Sequence, residues 1–120
     1  MLFAEGTRAA VADLKSTAQA MGRADIEVLP TAVERSLGKL SQRRPDAIVL
    51  NPSRAGALKP VLEMVGNSSA KQVLYLSCEP KTLCRDLDLL SRSGYETVSV
   101  QPVDMMPQTN QVEALALLQS

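Results

Sequence analysis

Cys78 is the side chain in this sequence whose type and setting point most directly to chemistry. It falls between an apolar run typical of a buried strand and a segment in which Pro80 favours the first turn of a helix. Exposed N–H groups and the positive end of the helix dipole favour the thiolate, the nucleophilic form of cysteine. Position alone leaves a reactive nucleophile and a buried structural cysteine both open. Cys84 lies in the body of that helix and is interpreted as a non-reactive core or surface residue.

The composition excludes several other kinds of chemistry. The 120 residues contain no His, so this chain supplies neither an imidazole base nor a His metal ligand. Thirteen basic and thirteen acidic residues give a formal net charge of zero, which disfavours a strongly basic nucleic-acid-binding domain. Two cysteines without His make neither a disulfide framework nor a zinc site, so we expect no metal. With no apolar run near the roughly 20 residues of a membrane span, we expect a cytoplasmic protein that does not enter a membrane.

Short apolar runs alternate with helical periodicity along the chain. The predicted strands are residues 2–4, 26–29, 47–50, 71–76, 95–103 and 111–118, and the predicted helices are residues 8–21, 31–40, 58–65 and 82–93. Strand and helix alternate four times before two successive strands, which predicts a parallel α/β sheet with an antiparallel hairpin at one edge. The all-apolar run 47–50 is typical of a strand buried on both faces. Ligands in such sheets bind beyond the carboxyl ends of the strands, where the loops 5–6, 51–56 and 77–80 fall.

Four segments, in the correct order, resemble the RNA uracil-5 methyltransferases, the family that makes 5-methyluridine in tRNA and 23S rRNA. Residues 75–87 resemble its active-site segment, residues 51–56 its Asp-Pro-Pro-Arg-x-Gly loop, residues 102–109 its Pro-x-Asp-Met-Phe-Pro-x-Thr loop, and residues 110–113 its x-His-Val-Glu segment. Glu5 and Gly6 resemble the end of the family's second strand. This chain departs from the pattern at four positions: Asn51 for Asp, Ser53 for Pro, Met106 for Phe, and Gln111 for His.

The resemblance implies an α/β, Rossmann-like class I S-adenosylmethionine-dependent methyltransferase fold, and methylation of carbon 5 of uridine in rRNA or tRNA. Cys78 would add to carbon 6 of uracil, and Glu113 would act as the general base that removes the carbon 5 proton. S-adenosylmethionine would be the cofactor and RNA the substrate. The implied binding residues are Glu5 and Asn51 for the cofactor, and Arg54 and Asp104 for the substrate.

Several of these residues also have plainer interpretations. Glu113 is interpreted without the resemblance as an exposed strand acid, and Glu5 as an acid favoured near a helix N-terminus. The other plain interpretations are a solvated loop cation for Arg54, a turn residue for Asp104, a local structural pair on the helix for Arg85 and Asp86, and packing residues for Met105 and Met106.

Nothing in the sequence resembles the Gly-rich cofactor loop that follows the family's first strand, or the family's RNA-binding part. We therefore expect residues 1–120 to form a partial catalytic domain that lacks the first strand–helix unit, with unpaired backbone groups at the gap. An N-terminal portion or a second chain would supply the rest. The alternative hypothesis is a non-catalytic α/β remnant that acts as an RNA-binding or assembly module.

Overall fold

The computed structural model describes residues 1–105, 107–109 and 111–120. Strands and helices alternate there in the predicted order, and each predicted boundary lies within two residues of the observed one. The elements are β1 Leu2–Ala4, α1 Arg8–Ala20, β2 Glu27–Leu29, α2 Val33–Ser41, β3 Ala47–Leu50, α3 Lys59–Gly66, β4 Gln72–Ser77, α4 Pro80–Arg92, β5 Glu96–Val103 and β6 Glu113–Gln119. Among the helices of this described part, none combines the length and the apolar character needed to cross a membrane.

The chain divides into two compact units, residues 1–42 and residues 43–120. In the first unit β1 and β2 form a two-stranded parallel sheet, with Leu2 opposite Glu27 and Ala4 opposite Leu29. The predicted N-cap position Thr7 is confirmed for α1, although the Thr7 side chain makes no capping hydrogen bond.

The second unit contains a four-stranded sheet in the order β3-β4-β6-β5. β3 and β4 run parallel, and β6 is antiparallel to both of its neighbours, β4 and β5. The predicted antiparallel hairpin at one edge is therefore confirmed. The sequence did not indicate that the last strand returns between β4 and β5, which makes β6 an interior strand of the sheet.

A hydrophobic core lies between one face of this sheet and the helices α3 and α4. Alternate residues of a strand point to the same face, and this pattern places every second side chain of β4 and β6 in the core. The fully buried strand residues are Val73, Tyr75, Ala116 and Leu118. Val65 of α3 and Leu90 of α4 are equally buried and belong to the same cluster.

The expectation that β3 is buried on both faces is wrong for this chain. Ile48 and Leu50 pack against the core, whereas Val49 is 64% exposed. The helices of this unit contribute to the core on the side that carries Ile48 and Leu50, so the alternate side chains of β3 remain accessible to solvent. An apolar strand with one exposed face is a candidate contact surface.

Gly56 lies in the loop that follows β3, at a φ of 81° that side chains other than glycine rarely adopt. A Cβ atom at this position would lie 2.5 Å from Arg85 Nη2 and 2.7 Å from Asp86 Oδ2. Gly94, just after α4, has a similar φ of 96° but no heavy atom within 4 Å of an added Cβ. Substitutions at the two positions therefore distinguish the cost of backbone strain from the cost of steric overlap.

We expect Gly56→Ala to destabilise the chain more than Gly94→Ala. Gly94→Ala introduces left-handed backbone strain alone, about 1–2 kcal/mol. Gly56→Ala adds overlap with two side chains, about a further 1–3 kcal/mol. Urea unfolding followed by circular dichroism measures both variants, and equal losses of stability would contradict the close approach of this loop to α4.

Candidate active site at the carboxyl end of the four-stranded sheet

The register of β4 and β6 brings Cys78 and Glu113 to the same end of the sheet. Ser77 lies opposite Ala114 as the last pair between these antiparallel strands, so one further step on each strand reaches Cys78 and Glu113. On its other side Glu113 pairs with Val103, the last residue of β5. Both candidate residues are half-buried, so each is partly shielded from water and partly accessible.

Cys78 lies in a tight turn between β4 and α4, as the sequence predicted. The Ser77 hydroxyl donates a hydrogen bond to the Glu79 carbonyl at 3.0 Å and accepts one from the Glu79 amide at 3.1 Å. Glu79 is the N-cap residue of α4, and its carboxylate accepts a hydrogen bond from the Lys81 amide. Local side chain-to-backbone bonds thus fix the backbone on both sides of the thiol. Cys84, by contrast, is exposed on α4.

Arg54 lies in the loop after β3, close to the turn that holds Cys78. Its guanidinium Nη2 is 3.6 Å from Glu79 Oε2, and its carbonyl accepts a hydrogen bond from the Thr82 hydroxyl at 3.0 Å. The Arg54 side chain is 67% exposed, so this ion pair orients the guanidinium with well under about 1 kcal/mol of stabilisation. Asn51, the first residue after β3, is also exposed at this end of the sheet. Both side chains are accessible to a ligand.

Asp86 on α4 is fully buried and ties three elements together. Its Oδ2 accepts hydrogen bonds from the Ala57 amide at 2.8 Å and from the Tyr75 hydroxyl, and its Oδ1 accepts one from Arg85 Nε at 2.8 Å. Burial, and next the hydrogen bond to Asp86, raise the pKa of Tyr75, so its hydroxyl stays a donor. The Arg85–Asp86 pair is confirmed, with 2.7 Å between Arg85 Nη2 and Asp86 Oδ1.

Sequence reasoning missed the two partners that Asp86 has outside α4. A signal was present: Asp86 follows Leu83 by three residues and precedes Leu90 by four, so it lies on the apolar stripe of the helix. An acid on such a stripe is buried and requires donors from other elements. Glu79 was missed as well, because its contact with Arg54 depends on the packing of a loop against a distant turn.

Glu5 belongs to the first unit, where it follows β1. Its Oε1 accepts a hydrogen bond from the Thr7 amide at 2.7 Å. This backbone bond is the main reason that the pKa of Glu5 lies below its ordinary value. Glu5 therefore stabilises the start of α1, in agreement with its plainer interpretation. A carboxylate has about four acceptor positions, so this bond leaves capacity for ligand hydroxyls.

Asp104 follows β5 directly and is exposed beside the pair formed by Val103 and Glu113. The interpretation of Met105 as a packing residue is wrong, because Met105 is 64% exposed in the bend beyond the end of β5. Met106 and Asn110 lie outside the described residues. Within the described ranges, no three residues of the types His, Cys, Asp or Glu are grouped so that they could hold a metal ion.

The sequence matches the family profile described as tRNA (Uracil-5-)-methyltransferase over residues 35–120. It is 37% identical over 117 residues to an uncharacterised RNA methyltransferase of Caldanaerobacter subterraneus subsp. tengcongensis, covering 96% of this chain and 26% of that protein. It is 38% identical over 118 residues to an uncharacterised RNA methyltransferase of Thermotoga maritima, covering 98% of this chain and 27% of that protein. The chain thus spans about a quarter of the length of these relatives.

Two solved structures share the fold. The tRNA (uracil-54, C5)-methyltransferase of Pyrococcus abyssi, in complex with S-adenosyl-L-homocysteine, has a TM-score of 0.78 at 24% identity over 98% of this chain and 28% of that chain. Precorrin-6y C5,15-methyltransferase of Geobacter metallireducens has a TM-score of 0.78 at 12% identity over 99% of this chain and 66% of that chain. The predicted Rossmann-like methyltransferase fold is confirmed by these likenesses. Since the family profile matches well over half of the residues, this chain belongs to the tRNA (uracil-5-)-methyltransferase family.

Proposed function

We propose that this chain is the catalytic portion of an enzyme that methylates carbon 5 of uridine in tRNA or rRNA. The observation that carries the proposal is the register of β4 and β6, which puts a half-buried thiol and a half-buried carboxylate one step beyond the same strand pair. A nucleophile and a base on either side of one reacting ring are what this reaction requires. Family membership supports RNA as the substrate, and an RNA substrate fits the expected cytoplasmic location.

The proposed reaction uses Cys78 in two steps and Glu113 in one. The Cys78 thiolate forms a bond from Sγ to carbon 6 of uracil, and the displaced electron pair makes carbon 5 a nucleophile. Carbon 5 then takes the methyl group, whose bond to the sulfonium sulfur of the cofactor would break and leave that sulfur as a neutral thioether. Glu113 removes the carbon 5 proton, the carbon 5–carbon 6 double bond forms again, and the bond from Sγ to carbon 6 breaks. The thiolate is regenerated and the proton remains on Glu113 until solvent takes it.

S-adenosylmethionine is the proposed cofactor, and it supplies a methyl group activated by the sulfonium. The residues present fit part of such a group. Glu5 has acceptor capacity beyond its bond to Thr7 and would accept hydrogen bonds from ribose hydroxyls, as an acid at this strand position commonly does. The Asn51 amide both donates and accepts, although it lacks the charge of the acid that the family pattern has there. The S-adenosyl-L-homocysteine bound in the Pyrococcus abyssi structure supports S-adenosylmethionine as the cofactor.

Arg54 and Asp104 are the proposed contacts to RNA. The guanidinium of Arg54 is exposed and held loosely by Glu79, so a phosphate would replace that partner with little loss. Asp104 adjoins the strand end that positions Glu113, which suits a carboxylate that accepts a hydrogen bond from the N3–H of uracil.

We also propose that residues 1–120 are a partial catalytic domain, completed by an N-terminal portion or a second chain. The chain spans about a quarter of its relatives. β3 ends the four-stranded sheet, and its exposed Val49 belongs to a row that continues through Leu74 and Leu117. An apolar strand at an open edge is a template for pairing and covering.

The covalent step is testable in a hybrid, defined as the Thermotoga maritima relative in which this chain replaces the 118 residues that it matches. With S-adenosylmethionine and 5-fluorouridine-containing bulk tRNA or rRNA, we expect a covalent adduct at Cys78, because fluorine on carbon 5 blocks the final elimination. Cys78→Ala should abolish the adduct, and Cys84→Ala is the matched control that should keep it. Mass spectrometry locates the modified cysteine. An adduct on Cys84, or none in the hybrid, would contradict the proposal.

For Glu113→Gln in the hybrid we expect a covalent adduct with ordinary RNA to accumulate. Glutamine cannot remove the carbon 5 proton, so elimination slows by about 10²–10⁴-fold. Glu96→Gln, at the far end of β5, makes the same change away from the site and should turn over normally. Gel separation of protein–RNA adducts under denaturing conditions measures the effect, and normal turnover by Glu113→Gln would refute the assignment of the base.

Val49→Asp tests the partial domain. In the isolated chain Val49 is exposed, so we expect the urea midpoint to change little, by the equivalent of less than about 0.5 kcal/mol. In the hybrid the same carboxylate would be buried, which should destabilise the protein by several kcal/mol. Val100→Asp on the edge strand β5 is the control, with 50% exposure in the chain and little effect expected in either protein. Equal tolerance of both changes in the hybrid would contradict completion at β3.

A further inference from the structure

The buried carboxylate of Asp86 has no part in the reaction steps proposed above, yet it is fully satisfied by donors from three elements. The Tyr75 hydroxyl comes from β4, the Ala57 amide from the loop after β3, and the guanidinium from the neighbouring Arg85. Burying a charge is costly unless it is paired and hydrogen-bonded, and these donors provide that pairing for Asp86. Among the parts of the chain that supply these donors, the loop is the one that belongs to neither a helix nor a strand.

The loop between β3 and α3 is held to α4 by further contacts of the same network. Arg85 Nη2 donates to the Ala55 carbonyl at 3.1 Å and to the Ala57 carbonyl at 3.4 Å. The Thr82 hydroxyl donates to the carbonyl of Arg54 at 3.0 Å. Gly56 lets the loop approach this closely, since any Cβ there would overlap Asp86 and Arg85. Residues 54, 55 and 57 thus each form a hydrogen bond with α4, and residue 56 lies too close to α4 for a side chain.

We propose that Asp86 is a positioning residue: its buried carboxylate fixes the loop that carries Asn51 and Arg54 against α4, and so sets where these side chains lie relative to Cys78. The Asp86 network and Cys78 are connected through β4, because Tyr75 lies on this strand three residues before Cys78. The role of the loop in positioning Asn51 and Arg54 for the reaction rests on the proposed function. The attachment of the loop to α4 rests on the hydrogen bonds alone.

Asp86→Asn keeps the shape of the side chain and removes its second acceptor oxygen. If the new amide nitrogen faces Tyr75 and Ala57, the Ala57 amide loses its 2.8 Å acceptor and keeps only the Tyr75 hydroxyl at 3.2 Å. If it faces Arg85, the guanidinium loses the anion that holds it near the loop carbonyls. Either orientation weakens the attachment. Asp88→Asn is the matched control, because Asp88 is an exposed acid on the same helix, paired with Arg92.

The first measurement uses the full chain, labelled with ¹⁵N, and follows hydrogen exchange of the Ala57 amide by NMR. We expect Asp86→Asn to accelerate this exchange about tenfold or more relative to Ala116, whose amide lies in the interior strand β6. Asp88→Asn should leave the ratio unchanged within about twofold. Tyr75→Phe keeps the ring in the core but removes one donor to Asp86 and the longer of the two acceptors of the Ala57 amide. A smaller acceleration is expected, because the 2.8 Å bond from the Ala57 amide to Asp86 remains. The proposal is overturned if neither Asp86→Asn nor Tyr75→Phe accelerates exchange of the Ala57 amide.

The second measurement is single-turnover methylation by the hybrid at saturating RNA and S-adenosylmethionine. A folding defect lowers the amplitude, which counts active molecules, whereas misplacement of the loop lowers the rate constant by about ten- to a hundredfold. We expect Asp86→Asn to lower the rate constant and Asp88→Asn to leave it unchanged. Faster Ala57 exchange with an unchanged rate constant would overturn the positioning role. If the wild-type hybrid does not methylate RNA, the proposed function fails, and the exchange measurement still decides whether Asp86 holds the loop.

Discussion

The placement of β6 between β4 and β5 is the constraint on which the rest of this molecule depends. An antiparallel strand in the interior of a sheet fixes its register through hydrogen bonds on both sides, and a slip of one residue would turn every side chain to the opposite face. Ala116 and Leu118 are fully buried in the observed register, so a slip is strongly disfavoured. The same register makes Glu113 the neighbour of the strand end that leads to Cys78. Core packing and site geometry are therefore set by one choice of pairing.

Polar contacts around the site divide into rigid and adjustable ones. The Ser77–Glu79 turn and the Asp86 network are short-range or buried, and they fix backbone positions. The Arg54–Glu79 pair is exposed and stabilises little, so its guanidinium is available to another anion. The backbone around Cys78 is thus fixed, whereas the Arg54 guanidinium is accessible. This division suits the proposed reaction, in which a large, charged substrate must enter and leave.

Family membership explains the fold, and the departures from the family pattern indicate where this chain differs in chemistry. Asn51 stands where the pattern has an acid, which removes one negative charge from the end of β3. Gln111 replaces the His of the segment before Glu113, so the chain has no imidazole near the proposed base. The thiol and the carboxylate of the proposed reaction are both retained. The exposed Val49 also leaves one face of β3 uncovered, whereas apolar strands of parallel sheets are usually covered on both faces.

The sequence alone predicts the order of the elements, and their bounds to within two residues, because apolar periodicity, proline and glycine act within a few residues along the chain. It also singled out Cys78, Glu113 and the loop after β3 through ordered motifs. It misjudged the exposure of Val49 and Met105, since burial depends on which elements pack nearby. The interior position of β6 and the reach of Asp86 to the loop were decided by the tertiary structure alone. Both arise from contacts between residues far apart in the chain. Local sequence patterns do not predict which distant residues a strand will pair with or which donors a buried acid will bind.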